Sequence, residues 1–343
     1  MPIVGLDLGS NNFRAVEIEG KKNSFILNKF GHYDNPKLNL QSDEKGDIES
    51  YSSALKEFFD EIGFSTPEVV VSLNEMNVYM RTITLPQMSD GDLKNSITFE
   101  AEQYIPLPMS EVNLSYQKLD TEVLPEGKMN VQIVAAKKTI LEKYVEILKQ
   151  SRLIPRAIEP ETIALGRVLG DNRDNPLGTI ILDMGYKRTL IIIVYYGFVR
   201  FTRSIPIGGE VISRAIQQGL NLDYSQADEY KKVYGIDPNQ VDGKIYEVVK
   251  PIIDNVLTEV KRASLFFTKQ NPGANMKRVI LTGGTAQMPG LLSYMAGNLD
   301  LEVEVSNPLK YVELSSRLEK QRAAFLEEGP IFSTPIGLAL KEV

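Results

Sequence analysis

Two acidic turns, far apart in the chain, carry the residues best suited to chemistry. The first lies in Ile3-Val4-Gly5-Leu6-Asp7-Leu8-Gly9-Ser10-Asn11-Asn12-Phe13-Arg14-Ala15-Val16-Glu17-Ile18. This reads as an apolar strand, a tight polar turn, and a second strand alternating Phe13, Ala15, Glu17 against Arg14, Val16, Ile18. A carboxylate at a strand end can hold Mg²⁺ through water. Gly9 lets the backbone come close to a phosphate, and the N–H groups of Ser10, Asn11 and Asn12 can line that phosphate as donors. A plain hairpin turn uses the same residues. The stretch Thr179-Ile180-Ile181-Leu182-Asp183-Met184-Gly185-Tyr186-Lys187-Arg188-Thr189-Leu190-Ile191-Ile192-Ile193 repeats the arrangement. Two copies of one supersecondary unit predict a duplicated architecture. Facing each other, two such hairpins would clamp a triphosphate and its metal.

Other stretches bear on the same chemistry. Thr282-Gly283-Gly284-Thr285 follows an apolar strand and precedes a helix. Paired glycines there let a flat ring lie against bare backbone, although a structural turn uses them as readily. Gly208-Gly209 precedes a helix starting near Glu210, where glycine either approaches a ligand or simply turns the chain. Glu159 and Glu161 fall at the start of a helix predicted over 158–169. They either complement the helix dipole or orient a water in a nucleotide cleft. His32 is the only histidine and falls in a polar stretch, which reads as a solvated loop position rather than a metal or triad residue.

The elements that must position these residues follow from patterning. With 343 residues, two lobes or more are expected. The absence of cysteine excludes disulfides and thiol chemistry. A formal charge of −7 argues against a general nucleic-acid binder. Met1-Pro2-Ile3 runs into the first strand without a basic leader, and the most apolar run, Leu190 to Val199, falls short of the ~20 residues of a membrane span. A soluble cytoplasmic protein is expected, peripheral to a membrane only through a partner and without direct insertion.

A third strand is predicted at 24–30 and a loop over 32–50. A helix over 50–62 buries Leu55, Phe58, Phe59 and Ile62 and stops at Gly63. Strands are expected at 69–73, 78–85, 112–119 and 130–136. A helix capped by Ser89 ends at Ile105-Pro106, and an amphipathic helix spans 139–151. Residues 67–151 thus read as an inserted α+β module, the alternative being that these strands simply extend the first sheet. A charged helix over 225–235 and a long one over 243–270 follow, the latter burying Ile245, Val248, Val249, Ile252, Ile253, Val256, Val260 and Leu265, with Pro251 inside it.

Asp7-x-Gly9, Asp183-x-Gly185 and Thr282-Gly283-Gly284-Thr285, in that order, resemble the phosphate-1, phosphate-2 and adenosine motifs of the actin, heat-shock-protein-70 and sugar-kinase ATPase superfamily. Within it the chain resembles the PilM family of type IV pilus assembly and its relative FtsA, over essentially its whole length. The marks are Ile83-x-Leu85-Pro86-x-Met88, Phe99-Glu100-Ala101-Glu102-Gln103-Tyr104-Ile105-Pro106, Ile158-Glu159-x-Glu161-x-x-Ala164-Leu165, Ile205-x-Ile207-Gly208-Gly209 and Pro335-Ile336-Gly337-Leu338-Ala339-Leu340.

The resemblance implies an α/β actin-like ATPase fold, two lobes each with a mixed sheet flanked by helices, plus a small inserted α+β subdomain. It divides the chain into 1–66 with 152–178 and 331–343 (1A), 67–151 (1C), 179–210 with 271–330 (2A) and 211–270 (2B). It implies ATP and Mg²⁺ as cofactors. Asp7 and Asp183 would serve the metal, and Gly9 to Asn12 and Gly185 to Thr189 the phosphates. Gly283, Gly284 and Thr285 would back the adenosine. Asp228 and Lys231 match the family's Ala-Glu-x-x-Lys helix near ribose and adenine, with Asp in place of Glu. Tyr186, Lys187 and Arg188 are bulkier than the small residues usual in that turn, and either touch phosphate or slow hydrolysis.

The implied function is an ATP-binding scaffold with weak or no turnover. It would bind the cytoplasmic N-terminal tail of a PilN-like inner-membrane protein near Ile97, Phe99, Glu100, Tyr104, Ile105 and Pro106; pilus assembly ATPases are further candidate partners. The alternatives are an actin-fold small-molecule kinase, for which no catalytic Asp stands out beyond the two metal aspartates, a chaperone ATPase, and an FtsA-like division protein. An FtsA-like protein would end in a basic amphipathic helix, and Gly329 to Val343 does not have that pattern.

Overall fold

The computed structural model describes residues 1–9, 12–21, 24–35, 37–119, 127–170 and 177–342. The phosphate-lining role expected of Ser10 and Asn11 therefore lies outside the described residues. The chain divides into two compact units: Met1–Ala164 with Val312–Glu319 and Thr334–Val343, and Leu165–Tyr311 with Lys320–Ser333.

The first unit begins with β1 (Ile3–Leu8), β2 (Asn12–Lys21) and β3 (Ser24–Asp34), an antiparallel meander, followed by α1 (Lys45–Ile62) and β4 (Glu68–Leu73). Then come β5 (Val78–Pro86), α2 (Asp90–Glu102), β6 (Val112–Leu119), β7 (Lys128–Lys137), α3 (Lys138–Gln150), β8 (Ile154–Pro160) and α4 (Glu161–Leu169), whose residues from Leu165 on belong to the second unit. In the main sheet β1 pairs antiparallel with β2 on one side and parallel with β4 on the other, and β4 pairs parallel with β8. The strands β5, β7 and β6 form a separate antiparallel sheet.

The second unit contains β9 (Leu177–Met184), β10 (Thr189–Tyr195), β11 (Phe198–Ile205), α5 (Gly209–Leu220), α6 (Tyr224–Tyr234), α7 (Lys244–Gln270), β12 (Asn275–Thr282), α8 (Leu291–Asn298) and β13 (Glu302–Val305). The chain then supplies β14 (Glu313–Leu314) to the edge of the first unit's sheet, beside β3, and α9 (Arg322–Glu328) to the second unit. It ends in α10 (Ser333–Ala339).

The duplication expected from the two acidic turns is visible in the topology. The first sheet runs β3-β2-β1-β4-β8 inside its β14 edge, and the second runs β11-β10-β9-β12-β13. In each, an antiparallel three-strand meander is followed by two strands added parallel to its first member. The parallel strands are near-continuous apolar runs, Val69-Val70-Val71 and Ile180-Ile181-Leu182, because both faces are covered.

Helix packing follows the stripes. Tyr51, Leu55, Phe58 and Phe59 of α1 are buried, and Gly63 ends the helix in the left-handed conformation (φ 66°), its N–H donating to the Phe59 carbonyl. Phe13 anchors this core, 4.9 Å edge-on to Tyr51 and 5.6 Å stacked on Tyr33. Ser89 caps α2, its Oγ accepting from the Asp92 N–H. Leu93, Ile97, Val131 and Ile133 form a satellite core between α2 and the three-stranded sheet.

Three expectations change. Residues 158–160 are strand, because pairing with β4 captures them, and the helix begins only at Glu161. The loop expected over 32–50 is shorter at both ends: β3 runs on to Asp34 opposite β2, α1 starts at Lys45, and His32 is an exposed strand residue. Leu265 is 56 % exposed, because the buried stripe of α7 runs Val256, Val260, Ala263, Phe267 and leaves Leu265 and Phe266 on the outer face.

Candidate functional site

Each unit presents one acidic hairpin, and the two share one geometry. In each, the aspartate ends a strand and pairs across the hairpin with a residue seven further on: Asp7 with Arg14, Asp183 with Leu190. The following glycine donates its N–H three residues ahead, Gly9 to the Asn12 carbonyl at 3.0 Å and Gly185 to the Arg188 carbonyl at 2.9 Å.

In the first unit Asp7 is held rigidly. Its Oδ1 accepts from the Ser72 hydroxyl at 2.7 Å, and Ser72 Oγ accepts the Leu8 N–H at 2.9 Å. Arg14 Nη1 stands 3.7 Å from Asp7 Oδ2. The Tyr51 hydroxyl donates to the Gly9 carbonyl at 2.8 Å. Burial foremost, then the neighbouring Tyr144 and Asp7, pushes Tyr51 well above the usual phenol range, so it remains a donor. A Cβ on Gly9 would lie 1.9 Å from Asn12 Oδ1, a buried atom with no hydrogen-bond partner among the described residues. Turning that amide over would present its NH₂ donors instead, which suits a phosphate oxygen.

In the second unit the hairpin is docked on α5. The Gly209 N–H donates to the Gly185 carbonyl at 3.0 Å, and the Glu210 N–H to the Tyr186 carbonyl at 2.9 Å. A Cβ on Gly208 would stand 2.4 Å from the Tyr186 carbonyl oxygen. The glycine pair thus serves close approach of helix to hairpin, and two first-turn N–H groups are taken by protein carbonyls. Thr189 is buried, its hydroxyl donating to the Ile207 carbonyl at 2.6 Å. Lys187 is exposed and Arg188 half-buried. The exposed Tyr186 hydroxyl lies 2.7 Å from that of Tyr224.

The Thr-Gly-Gly-Thr turn splits into two roles. Gly283 has φ +80°, and a Cβ there would lie 2.3 Å from Asp183 Oδ1 and 2.9 Å from the Met184 carbonyl oxygen. Gly284 is open, its nearest neighbour Ile331 Cγ2 at 3.8 Å. Thr285 donates to the Gly185 carbonyl at 3.2 Å. Asp228 and Lys231, on α6, are paired at 2.5 Å. Burial pushes the Asp228 carboxyl up, but hydrogen bonds from Lys231, Lys232 and Ser213 outweigh it and hold the pKa down at about 2.

Among the described residues no three His, Cys, Asp or Glu side chains gather into a metal cluster. Single carboxylates such as Asp7 and Asp183 suit Mg²⁺, which keeps several waters and takes its remaining oxygens from phosphates. Glu159 is 6 % exposed on β8 with Lys341 Nζ 3.2 Å away, and Glu161 Oε1 accepts the Glu75 N–H at 2.7 Å. Both carboxylates already serve the fold of the first unit. Of the expected partner-binding residues, Ile97 and Ile105 are core. Phe99 is 69 % and Tyr104 40 % exposed, Pro106 is exposed and Glu100 half-buried; the Arg81 guanidinium lies 4.7 Å over the Tyr104 ring. A separate cavity of about 550 Å³ opens between Asn113 and the Lys138, Leu141, Val145 and Lys149 face of α3.

Sequence reasoning missed Tyr51, Ser72 and Ser213. Ser72 left a signal, a lone hydroxyl inside Val69-Val70-Val71-Ser72-Leu73. Tyr51 sits on an otherwise ordinary helix stripe.

The family described as "Type IV pilus assembly protein PilM" matches residues 5–343. A solved PilM-PilN type IV pilus biogenesis complex contains a chain 25 % identical to this one, with a TM-score of 0.83 over 99 % of this chain and 98 % of that one. Cell division protein FtsA of Bacillus subtilis (strain 168) is 23 % identical, covering 89 % of this chain and 78 % of FtsA. MreB5 of Spiroplasma citri bound to AMPPNP shares the fold at 14 % identity, with a TM-score of 0.57 over 99 % of this chain and 96 % of MreB5. The fold is that of the actin-like ATPases. No helix among the described residues is long and apolar enough to cross a membrane.

Proposed function

Because this chain belongs to the PilM family of type IV pilus assembly proteins, we propose that it is an ATP-binding scaffold whose partner is the cytoplasmic N-terminal tail of a PilN-like membrane protein. The observation that carries the nucleotide half is the repeated hairpin, with an aspartate at the strand end and, two residues on, a glycine whose N–H closes the turn onto a carbonyl three residues ahead. The similarity to a PilM chain solved with PilN supports the partner.

In this reading Asp7 and Asp183 serve Mg²⁺. Gly9 and Asn12, with Gly185 to Arg188, hold phosphate, and Gly284 offers bare backbone to the purine. ATP and Mg²⁺ supply binding free energy. At ATP a hundredfold above its Kd, linkage favours the form that binds it by about 2.7 kcal/mol. That is enough to bias tail binding if that form also takes the tail better. In the same proposal Glu159 and Glu161 would orient water. Their internal partners make slow turnover the expectation. The tail would engage the exposed Phe99 and Tyr104 side of the small α+β module, holding a cytoplasmic protein at the inner membrane. The four-part division 1A, 1C, 2A, 2B belongs to the same proposal.

The test is calorimetry with ATP–Mg²⁺ on wild type, Asp7→Ala and Asp183→Ala, paired with anisotropy of a labelled PilN-like tail peptide with and without ATP. Both variants are expected to lose ATP affinity at least about tenfold, 1.4 kcal/mol. Equal affinity in all three proteins removes the metal roles, and a peptide that fails to bind in either condition removes the partner.

A further inference from the structure

The buried cation of α6 is fully occupied by the protein itself. An ammonium has three donors, and Lys231 Nζ lies 2.5 Å from Asp228 Oδ1, 2.8 Å from Ser213 Oγ and 3.3 Å from the Gly209 carbonyl. The residue is 7 % exposed. Its partner is engaged too: Asp228 Oδ1 also accepts from the Ser213 hydroxyl at 2.8 Å, and Oδ2 meets Lys232 Nζ at 2.8 Å, which fills three of the carboxylate's roughly four acceptor sites.

From Lys231 the connections lead to the hairpin. The carbonyl that Lys231 holds belongs to Gly209, whose own N–H donates to the Gly185 carbonyl. The same Gly185 oxygen accepts from Thr285. A Cβ on Gly209 would stand 2.8 Å from Thr285 Oγ1 and 3.2 Å from Lys231 Nζ. Four segments that are separate in sequence therefore meet within one hydrogen-bonded knot: the hairpin turn, the start of α5, α6 and the Thr-Gly-Gly-Thr turn.

We infer that Asp228 and Lys231 are positioning residues that fix the α5 start against the second hairpin, and that Lys231 leaves the ribose hydroxyls of a bound nucleotide unread. The inference rests on the reading that this hairpin binds a nucleotide. For Lys231 to reach a ribose hydroxyl it would abandon a buried carbonyl or carboxylate, leaving that acceptor unmatched. Aspartate at 228 carries one methylene fewer than glutamate. That length closes onto Lys231 and Ser213 instead of extending outward.

Two measurements on the full chain test this. The first needs no nucleotide: amide hydrogen exchange at Gly209 and Glu210 in wild type, Lys231→Met and Asp228→Asn. Both variants are expected to exchange at least about tenfold faster there, an opening of 1.4 kcal/mol, with β1 and β4 unchanged. Unchanged exchange at Gly209 and Glu210 in both variants overturns the positioning role. The second compares ATP with 2′-deoxy-ATP on wild type by calorimetry. The two are expected to bind within about twofold, since a site that hydrogen-bonds a hydroxyl rejects the analogue lacking it far more strongly. A preference for ATP that is present in wild type and absent in Lys231→Met overturns the inference. Failure of both nucleotides to bind refutes the nucleotide reading itself, and the exchange result still decides the positioning role.

Discussion

Replacing Gly283 with alanine separates the two glycines of the Thr-Gly-Gly-Thr turn. Gly283 sits at φ +80°, where an L side chain costs roughly 1–2 kcal/mol. Its new Cβ would also lie 2.3 Å from Asp183 Oδ1 and 2.9 Å from the Met184 carbonyl oxygen. The carboxylate can rotate, but the carbonyl belongs to a buried strand and moves only with the backbone. Overpacking of this kind costs about 1–3 kcal/mol. The sum, roughly 2–5 kcal/mol, corresponds to a fall in melting temperature on the order of 5–15 °C for a unit of this size. Asp183 is displaced at the same time, so under the proposed metal role ATP–Mg²⁺ affinity should fall as well. Gly284→Ala is the control: with Ile331 Cγ2 at 3.8 Å there is room for a methyl, and the free protein should melt within about 1 °C of wild type. If a purine lies on that backbone, the same methyl weakens ATP binding without touching stability. Differential scanning calorimetry and titration calorimetry on the two variants read both quantities. A Gly283→Ala protein that melts with wild type would refute the steric reasoning.

Tyr51→Phe removes the donor to the Gly9 carbonyl and should cost about 1 kcal/mol of stability together with some nucleotide affinity; identical melting and identical ATP titrations would show that the bond supports nothing. Phe99→Ala and Tyr104→Ala should leave melting unchanged, since both rings are exposed. Each should weaken tail-peptide binding by at least ~1 kcal/mol; unchanged anisotropy titrations would discard that surface. Asp228, held at about 2 against an ordinary 3.8, stabilises the fold fully above pH 3.8 and loses that contribution as pH falls toward 2. Acid-melting curves should therefore be steeper between those values for wild type than for Asp228→Asn, and parallel curves would contradict the assignment.

The sequence by itself determined whatever depends on neighbours a few residues away. The two Asp-x-Gly hairpins, the apolar parallel strands, the α1 stripe and its Gly63 stop all follow from alternation, helical spacing and backbone freedom. Each was legible because its cause is local. The repeated order of motifs extended that legibility to the family and the duplicated architecture.

Tertiary structure alone decided the rest, because the deciding atom lies far off in the chain. Residues 158–160 became strand through pairing with β4. Glu159 and Glu161, alike in sequence, were given partners at Lys341 and Glu75. Leu265 was left outside because the packed stripe of α7 is set by the sheet beneath it. Two adjacent glycines, 283 and 284, differ in backbone conformation and in what a Cβ would meet. Lys231 spends its donors on Gly209, Ser213 and Asp228. Its residue type declares a charge, but only packing says which acceptors surround it.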